Sequence, residues 1–401
     1  MLSTTSAPSL ADFAKADVKP DIKPDVKPDR GFLPPQDPLA RLPQAFDAWE
    51  HVASGLPKYL ASDHIRRTIE DLPPFPVDQI GTRGERERAM TLLSYLGHAY
   101  VWRGDKPADK LPARVAVPWH EVADSLGRPP VLSYSSYSLH NYFRLDPGRE
   151  IETGNIALIQ NFLGGLDEEW FILIHVDIER KAGPALAALH DCLDAAKARD
   201  AGQLEHHLAT VHKSIEAIYA GLKRMTEWCD PYVYYHRVRP YIHGWKNHPD
   251  LPNGLIYEGV DAYRGEPQQF RGETGAQSAI IPSLDAMLGV GHKADVLRTY
   301  LMEMRTYMPP EHRAFIASIE ARGSVREFVV QANVASLTDM YNACVEGVER
   351  FRTLHLEYAA TFIFRQAQTD AKNPHAVGTG GTPFMPYLTK HRDETALHRM
   401  K

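Results

Sequence analysis

In the stretch RFRTLHLEYAATFIF (350–364) one histidine stands within a mostly apolar run, and its ring is the first candidate for chemistry. If the run is helical, the in-phase neighbours of His355 are Val348, Phe351, Arg352, Ala359 and Phe362. The imidazole then faces with an apolar stripe that carries one arginine, and a ring turned inward needs a hydrogen-bond partner or a metal. No His, Cys or carboxylate lies three or four residues away, which removes a zinc or di-iron centre built on this helix. Two readings stay open on spacing alone. One is a hydrogen-bonded core histidine; the other is the single axial ligand of a haem, whose porphyrin supplies four equatorial nitrogens. Under the second, Arg352 sits one turn away, where it can pair with a propionate.

The elements that must position this ring read as helices. ERERAMTLLSYLGHAYVWRG (85–104), LEHHLATVHKSIEAIYAGLKRM (204–225) and SLTDMYNACVEGVERFRTLHLEYAATFIFRQ (336–366) repeat apolar residues at three- and four-residue spacing, while strand patterns are few and short. The expected fold class is all-α. DEEWFILIHVDIERKAGPALAALHDCLDAAKARD (167–200) is expected to break or kink at Gly183-Pro184. Residues 1–30 repeat Lys-Pro-Asp with few large apolar side chains and are expected to form a solvated arm. The Pro-rich SLGRPPVLSY (125–134) is the best boundary between a small N-terminal helical domain (31–128) and a large C-terminal one (129–401).

Composition narrows the partners. The 401 residues, 43% hydrophobic, suffice for a real core, and the formal net charge of −6 gives no reason to expect nucleic acid or an anionic membrane. Three scattered cysteines argue against a disulfide framework, and no apolar run reaches the roughly 18–20 residues that span a bilayer. A cytoplasmic location is expected. G-x-G-G in GTGGTPFMPYL lacks the strand before and the Lys-Ser/Thr after that a phosphate loop requires, and reads better as a mobile lid. No catalytic Ser-His-Asp or paired-carboxylate pattern has convincing spacing.

Eight stretches occur in a familiar order: GFLPPQDPL, SYLGHAYVW, GGLDEEWFILIHVDIE, RVRPYIHGWKNHPDLPNGLIYEGV, GAQSAIIPSLDAMLGVGH, MPPEHRAFI, RFRTLHLE and GTGGTPFMPYL. Together, from about Gly31 to the C-terminus, they resemble the indoleamine 2,3-dioxygenase family. The resemblance implies an all-α fold enclosing haem b, active with ferrous iron. It also implies insertion of both atoms of O₂ across the indole C2–C3 bond of L-tryptophan, giving N-formylkynurenine. His355 then matches the proximal iron ligand, and Arg352 and Asp285 (in SLDAMLG) match an arginine and its acidic partner that support the haem, as does Gly275.

On the substrate side, Arg239 in YYHRVRPYIHGW matches the arginine that binds the substrate carboxylate, a role that suits a planar guanidinium. Arg237, two residues earlier, is the weaker candidate. Tyr134, Tyr137 and Ser138 match the distal-pocket segment, and Tyr234 and Tyr235 stand where animal members carry two phenylalanines beside the substrate. Leu173 aligns with their distal serine, with His175 within a two-residue slip and able, if distal, to donate a hydrogen bond. Thr379 matches a lid residue that bonds the substrate. Glu273-Thr274-Gly275 departs from the usual Gly-Ser-Ala, and Glu273 is expected to point outward. The implied partners are L-tryptophan or a related indole, O₂ and an unidentified reductant. Another reaction on a modified tryptophan, or non-catalytic O₂ carriage, are the alternatives.

Overall fold

A computed structural model describes residues 26–293, 296–369, 378–379 and 384–400. The fold is all-α. Its strands are short: Lys110–Leu111 pairs in parallel with Ile256–Tyr257, and Tyr142–Arg144 pairs antiparallel with Ile156–Leu158. The helices that position the site are labelled α1 (Arg83–Trp102), α2 (Leu166–Ala198), α3 (Ala201–Lys223), α4 (Ile280–Leu288), α5 (Ala335–Ala359) and α6 (Phe384–Ala396).

Local chemistry sets their ends. Thr82 and Glu85 form a capping box at the start of α1: the Thr82 hydroxyl accepts the Glu85 N–H, and the Glu85 carboxylate accepts the Thr82 N–H. Between α2 and α3, Arg199 takes a left-handed conformation (φ 57°) and Asp200 caps α3 by accepting the Gln203 N–H at 2.9 Å. Gly347 lets α5 approach α3 closely, since a Cβ there would lie 2.7 Å from Ile215 Cγ2. That contact holds the helix bearing His355 against α3.

The expected break at Gly183-Pro184 does not occur, and α2 runs unbroken through it. Gly183 serves packing instead: a Cβ there would lie 2.3 Å from the Pro28 carbonyl oxygen, so the chain at 28–31 lies directly on the helix. Order therefore begins before Gly31. Gly31 donates to the Lys27 carbonyl at 2.8 Å, and Arg30 pairs with Asp37 at 3.0 Å. The rest of the Lys-Pro-Asp arm lies outside the described residues. The Pro-rich joint is no exposed linker: every residue from Arg128 to Leu139 is buried, and one hydrophobic core spans both sides of it. Among the described residues no helix is long and apolar enough to cross a membrane.

π-helical turns interrupt the regular helices at Ser135–Leu139, Tyr234–Val238 and Ala360–Phe364. Such turns widen the backbone and re-aim side chains, and they favour functional sites. Two of the three coincide with segments singled out above, and the third follows His355.

Candidate active site

Helices α2 to α6 enclose a cavity of about 260 Å³. Its walls are mainly apolar: Ile178 from α2, Ile218 and Leu222 from α3, Ile280 from α4, and Phe351 and Ala359 from α5. His355 projects into it. The ring has accessible surface yet is surrounded by protein, because the surface it presents is cavity wall. Burial, with His175 and Arg352 nearby, brings its pKa down to about 4, so the imidazole is neutral at pH 7, the form a metal needs. Neither ring nitrogen has a hydrogen-bond partner among the described residues.

Arg352 also reaches the cavity, where a bidentate pair fixes its guanidinium: Nη1 donates to Asp285 Oδ1 at 3.1 Å and Nη2 to Asp285 Oδ2 at 2.6 Å. Thr395 Oγ accepts a further bond, and His292 bridges Asp285 (3.3 Å) and Glu394 (2.7 Å). Burial alone would raise the Asp285 pKa, but Arg352 and His292 outweigh it and bring it to about 2. The sign follows from linkage. A carboxylate with a depressed folded pKa stabilises the fold fully above its unfolded pKa of about 4, and that stabilisation is lost as the pH falls. Acid unfolding monitored by circular dichroism is expected to show this loss between about pH 4 and pH 2. Asp285→Asn, which leaves Arg352 buried without its counter-charge, is expected to lower stability by about 3 kcal/mol at pH 7 in denaturant titration.

To the same cavity α2 contributes His175. Its Nδ1 lies 2.7 Å from the Phe171 carbonyl oxygen, which can only accept, so Nδ1 carries the proton. Burial lowers the His175 pKa, and in the neutral ring Nε2 is therefore a bare acceptor. The expected donor role does not fit this tautomer. Leu173 is buried in the core and is not among the cavity-lining residues; the residue of this segment that reaches the cavity is His175.

His175 packs into an aromatic cluster. The Phe171 ring packs on His175 at 4.7 Å and on Tyr234 at 4.4 Å, with Tyr134 5.9 Å from His175 and Tyr137 6.4 Å from Phe171. Tyr137 and Ser138 are buried with hydroxyls that have no partner among the described residues. Arg239, only 1% exposed, starts the turn that follows the π-helical segment and lies over the Tyr235 ring at 5.2 Å. Thus Arg239, Tyr134, Tyr137, Ser138, Tyr234 and Tyr235 are not among the cavity-lining residues, and Tyr134 reaches the cavity wall through its contact with His175. Arg237 is exposed.

Gly275 and Thr379 both line the cavity, and Thr379 donates to the Glu273 carbonyl. Of the expected lid, residues 380–383 lie outside the described residues, and residues 384–388 form the first turns of α6. Glu273 does not point outward. It is 4% exposed, and burial pushes its pKa up to about 8. Sequence reasoning also passed over Phe171, Glu179 and Ser278. Glu179 Oε1 accepts from the Tyr134 hydroxyl at 2.9 Å and from Ser278 at 2.8 Å, and burial brings its pKa to about 7. A signal existed, since Glu179 lies one helical turn beyond His175.

These residues fit a prosthetic group better than a bare ion. Among the described residues no group of three or more His, Cys, Asp or Glu side chains could hold a metal. A neutral, partnerless imidazole in an apolar slot with an arginine at its edge suits a macrocycle that brings its own equatorial ligands.

The fold and the site define a helical protein with an enclosed, histidine-headed cofactor cavity. Residues 22–398 match the family model described as "Indoleamine 2,3-dioxygenase", and the chain belongs to that family, whose members depend on haem. It is 37% identical to mouse indoleamine 2,3-dioxygenase 1 over 380 residues, covering 91% of this chain and 92% of that protein. It is 35% identical to the rat enzyme over 378 residues (91% and 92%), and 33% identical to the Saccharomyces cerevisiae indoleamine 2,3-dioxygenase over 413 residues (91% and 90%).

Proposed function

We propose that this chain is a haem-dependent dioxygenase that inserts both atoms of O₂ across the indole C2–C3 bond of L-tryptophan to give N-formylkynurenine, the first step of tryptophan catabolism. The observation that carries the reading is the apolar cavity lined by neutral, partnerless His355 and by His175. Family membership and relatives named for this activity support it.

In this reading His355 would hold the iron of a haem b, and Arg352, backed by Asp285, together with Gly275 would support the group in the cavity. The haem, in its ferrous state and supplied with electrons by a cellular reductant, provides the oxygen chemistry. The rest is positioning. Arg239 grips the substrate carboxylate, Tyr134, Phe171 and Tyr234 pack against the indole, with Tyr137, Ser138 and Tyr235 around them, and Thr379 bonds the substrate from the loop. We also propose that residues 31–128 and 129–401 are the smaller and larger lobes, and that the enzyme works in the cytoplasm.

His175 has a specific part here. Its unprotonated Nε2 accepts the indole N–H and so orients C2–C3. His175→Ala is expected to weaken L-tryptophan binding about fivefold, the worth of one buried hydrogen bond. Binding of 1-methyl-L-tryptophan, which has no indole N–H, is expected to change less than twofold in the same spectral titration, on the order of half a kcal/mol.

The reaction is tested by incubating haem-loaded protein with L-tryptophan and a reductant and following the ultraviolet absorbance of N-formylkynurenine. Product is expected from the wild type and none from His355→Ala. A stable oxygenated spectrum without turnover would support O₂ carriage instead, and turnover of another indole alone would move the substrate.

A further inference from the structure

We propose that Glu273 binds the α-ammonium of the amino-acid substrate, opposite Arg239 at the α-carboxylate, and so makes the site selective for zwitterionic indoles over indole acids that lack the amine. This rests on the reading of Arg239 given above.

The backbone ties the two residues together. The Glu273 N–H donates to the Ile242 carbonyl at 3.1 Å, at the end of the turn that Arg239 begins. Beside this bond Gly272 and Gly244 touch backbone to backbone: a Cβ on Gly272 would lie 2.2 Å from Gly244 N, and one on Gly244 2.1 Å from Gly272 N. No larger residue fits at either position, so backbone packing and this hydrogen bond fix the Glu273 backbone beside the Arg239 turn. Thr379, through its bond to the Glu273 carbonyl, joins the loop to the same point.

The side chains stay apart. No hydrogen bond or ion pair is made by the Glu273 carboxyl group among the described residues, and Arg239 lies over the Tyr235 ring with Tyr234 nearby. The Tyr234 phenol responds to both, raised by Glu273 and lowered by Arg239, so both charges lie near that ring. An acid and a base that do not pair with each other, both near the Tyr234 ring, match the two charges on an α-amino acid's α-carbon. A buried carboxyl group without a partner costs stability, which a structural role would not explain.

The titratable groups near Glu273 are the phenols of Tyr95, Tyr134, Tyr137 and Tyr234, all pushed upward and uncharged at neutral pH; Arg239 also lies near Tyr234, and Glu179 accepts from the Tyr134 hydroxyl. With its pKa near 8, Glu273 is mostly protonated at pH 7 in the free protein. Arrival of an ammonium favours the carboxylate, and the proton is released to solvent.

The test uses full-length haem-loaded protein and two probes, L-tryptophan and indole-3-propionate, which keeps the indole and carboxylate but has no amine. Glu273→Gln is expected to weaken L-tryptophan about tenfold or more while changing indole-3-propionate less than twofold. Calorimetry at pH 7 in two buffers of different ionisation enthalpy is expected to show about one proton released per L-tryptophan bound by the wild type, and none with indole-3-propionate. That comparison needs no variant and so survives any folding defect. Equal loss of both ligands in Glu273→Gln, or no proton released with L-tryptophan, would overturn the proposal. Arg239→Gln is expected to weaken both ligands; if indole-3-propionate binding is unchanged there, the Arg239 reading fails while the amine comparison still reports on Glu273.

Discussion

Replacing His355 with alanine is expected to leave a folded helical protein that retains no haem. The physical basis is the ring's isolation: it is neutral, reaches an apolar cavity and has no hydrogen-bond partner among the described residues, so its removal breaks no internal bond. The other polar groups there are committed, Arg352 to Asp285 and His175 Nδ1 to the Phe171 carbonyl. Far-UV circular dichroism is expected to be unchanged, and the Soret band lost on gel filtration. Added imidazole, small enough for the space left by the ring, is expected to restore part of the Soret band. Full haem retention by His355→Ala would refute the assignment.

The second large effect concerns Arg239. Alanine here is expected to leave haem content intact and to lower kcat/KM for L-tryptophan by about 10²–10³-fold, the scale of a desolvated, bidentate, charge-assisted contact. Burial lowers the arginine's pKa, but from so high a value that the group remains charged at neutral pH. Lysine is not expected to rescue it, because a point charge neither forks around a carboxylate nor stacks on the Tyr235 ring. Haem content and steady-state kinetics on the same preparations separate the two arginines: Arg352→Ala is expected to lower haem content, and Arg239→Ala is not.

Parts of this site were legible in sequence because helical phase is a strong constraint. On α5 the apolar stripe had a clear direction, and His355 and Arg352 shared it. The segment WFILIHV on α2 had no such direction. It is apolar almost all round, so phase could not separate Leu173 from His175, which sit about 200° apart on a helix. Glu273 misled for a different reason. An acidic residue beside a glycine is ordinarily exposed, and its burial depends on a contact between Gly272 and Gly244, 28 positions apart in sequence. The continuity of α2 through Gly183-Pro184 was hidden likewise, since the Gly183 contact is with residues 28–31, in a segment whose composition read as solvated.

The most direct measurement of the central claim is a single turnover of L-tryptophan under ¹⁸O₂ by the reduced, haem-loaded protein, with the product analysed by mass spectrometry. Two ¹⁸O atoms in N-formylkynurenine, one at each carbon of the cleaved C2–C3 bond, are predicted. A product with one label or none, or unchanged tryptophan beside intact haem, would contradict it.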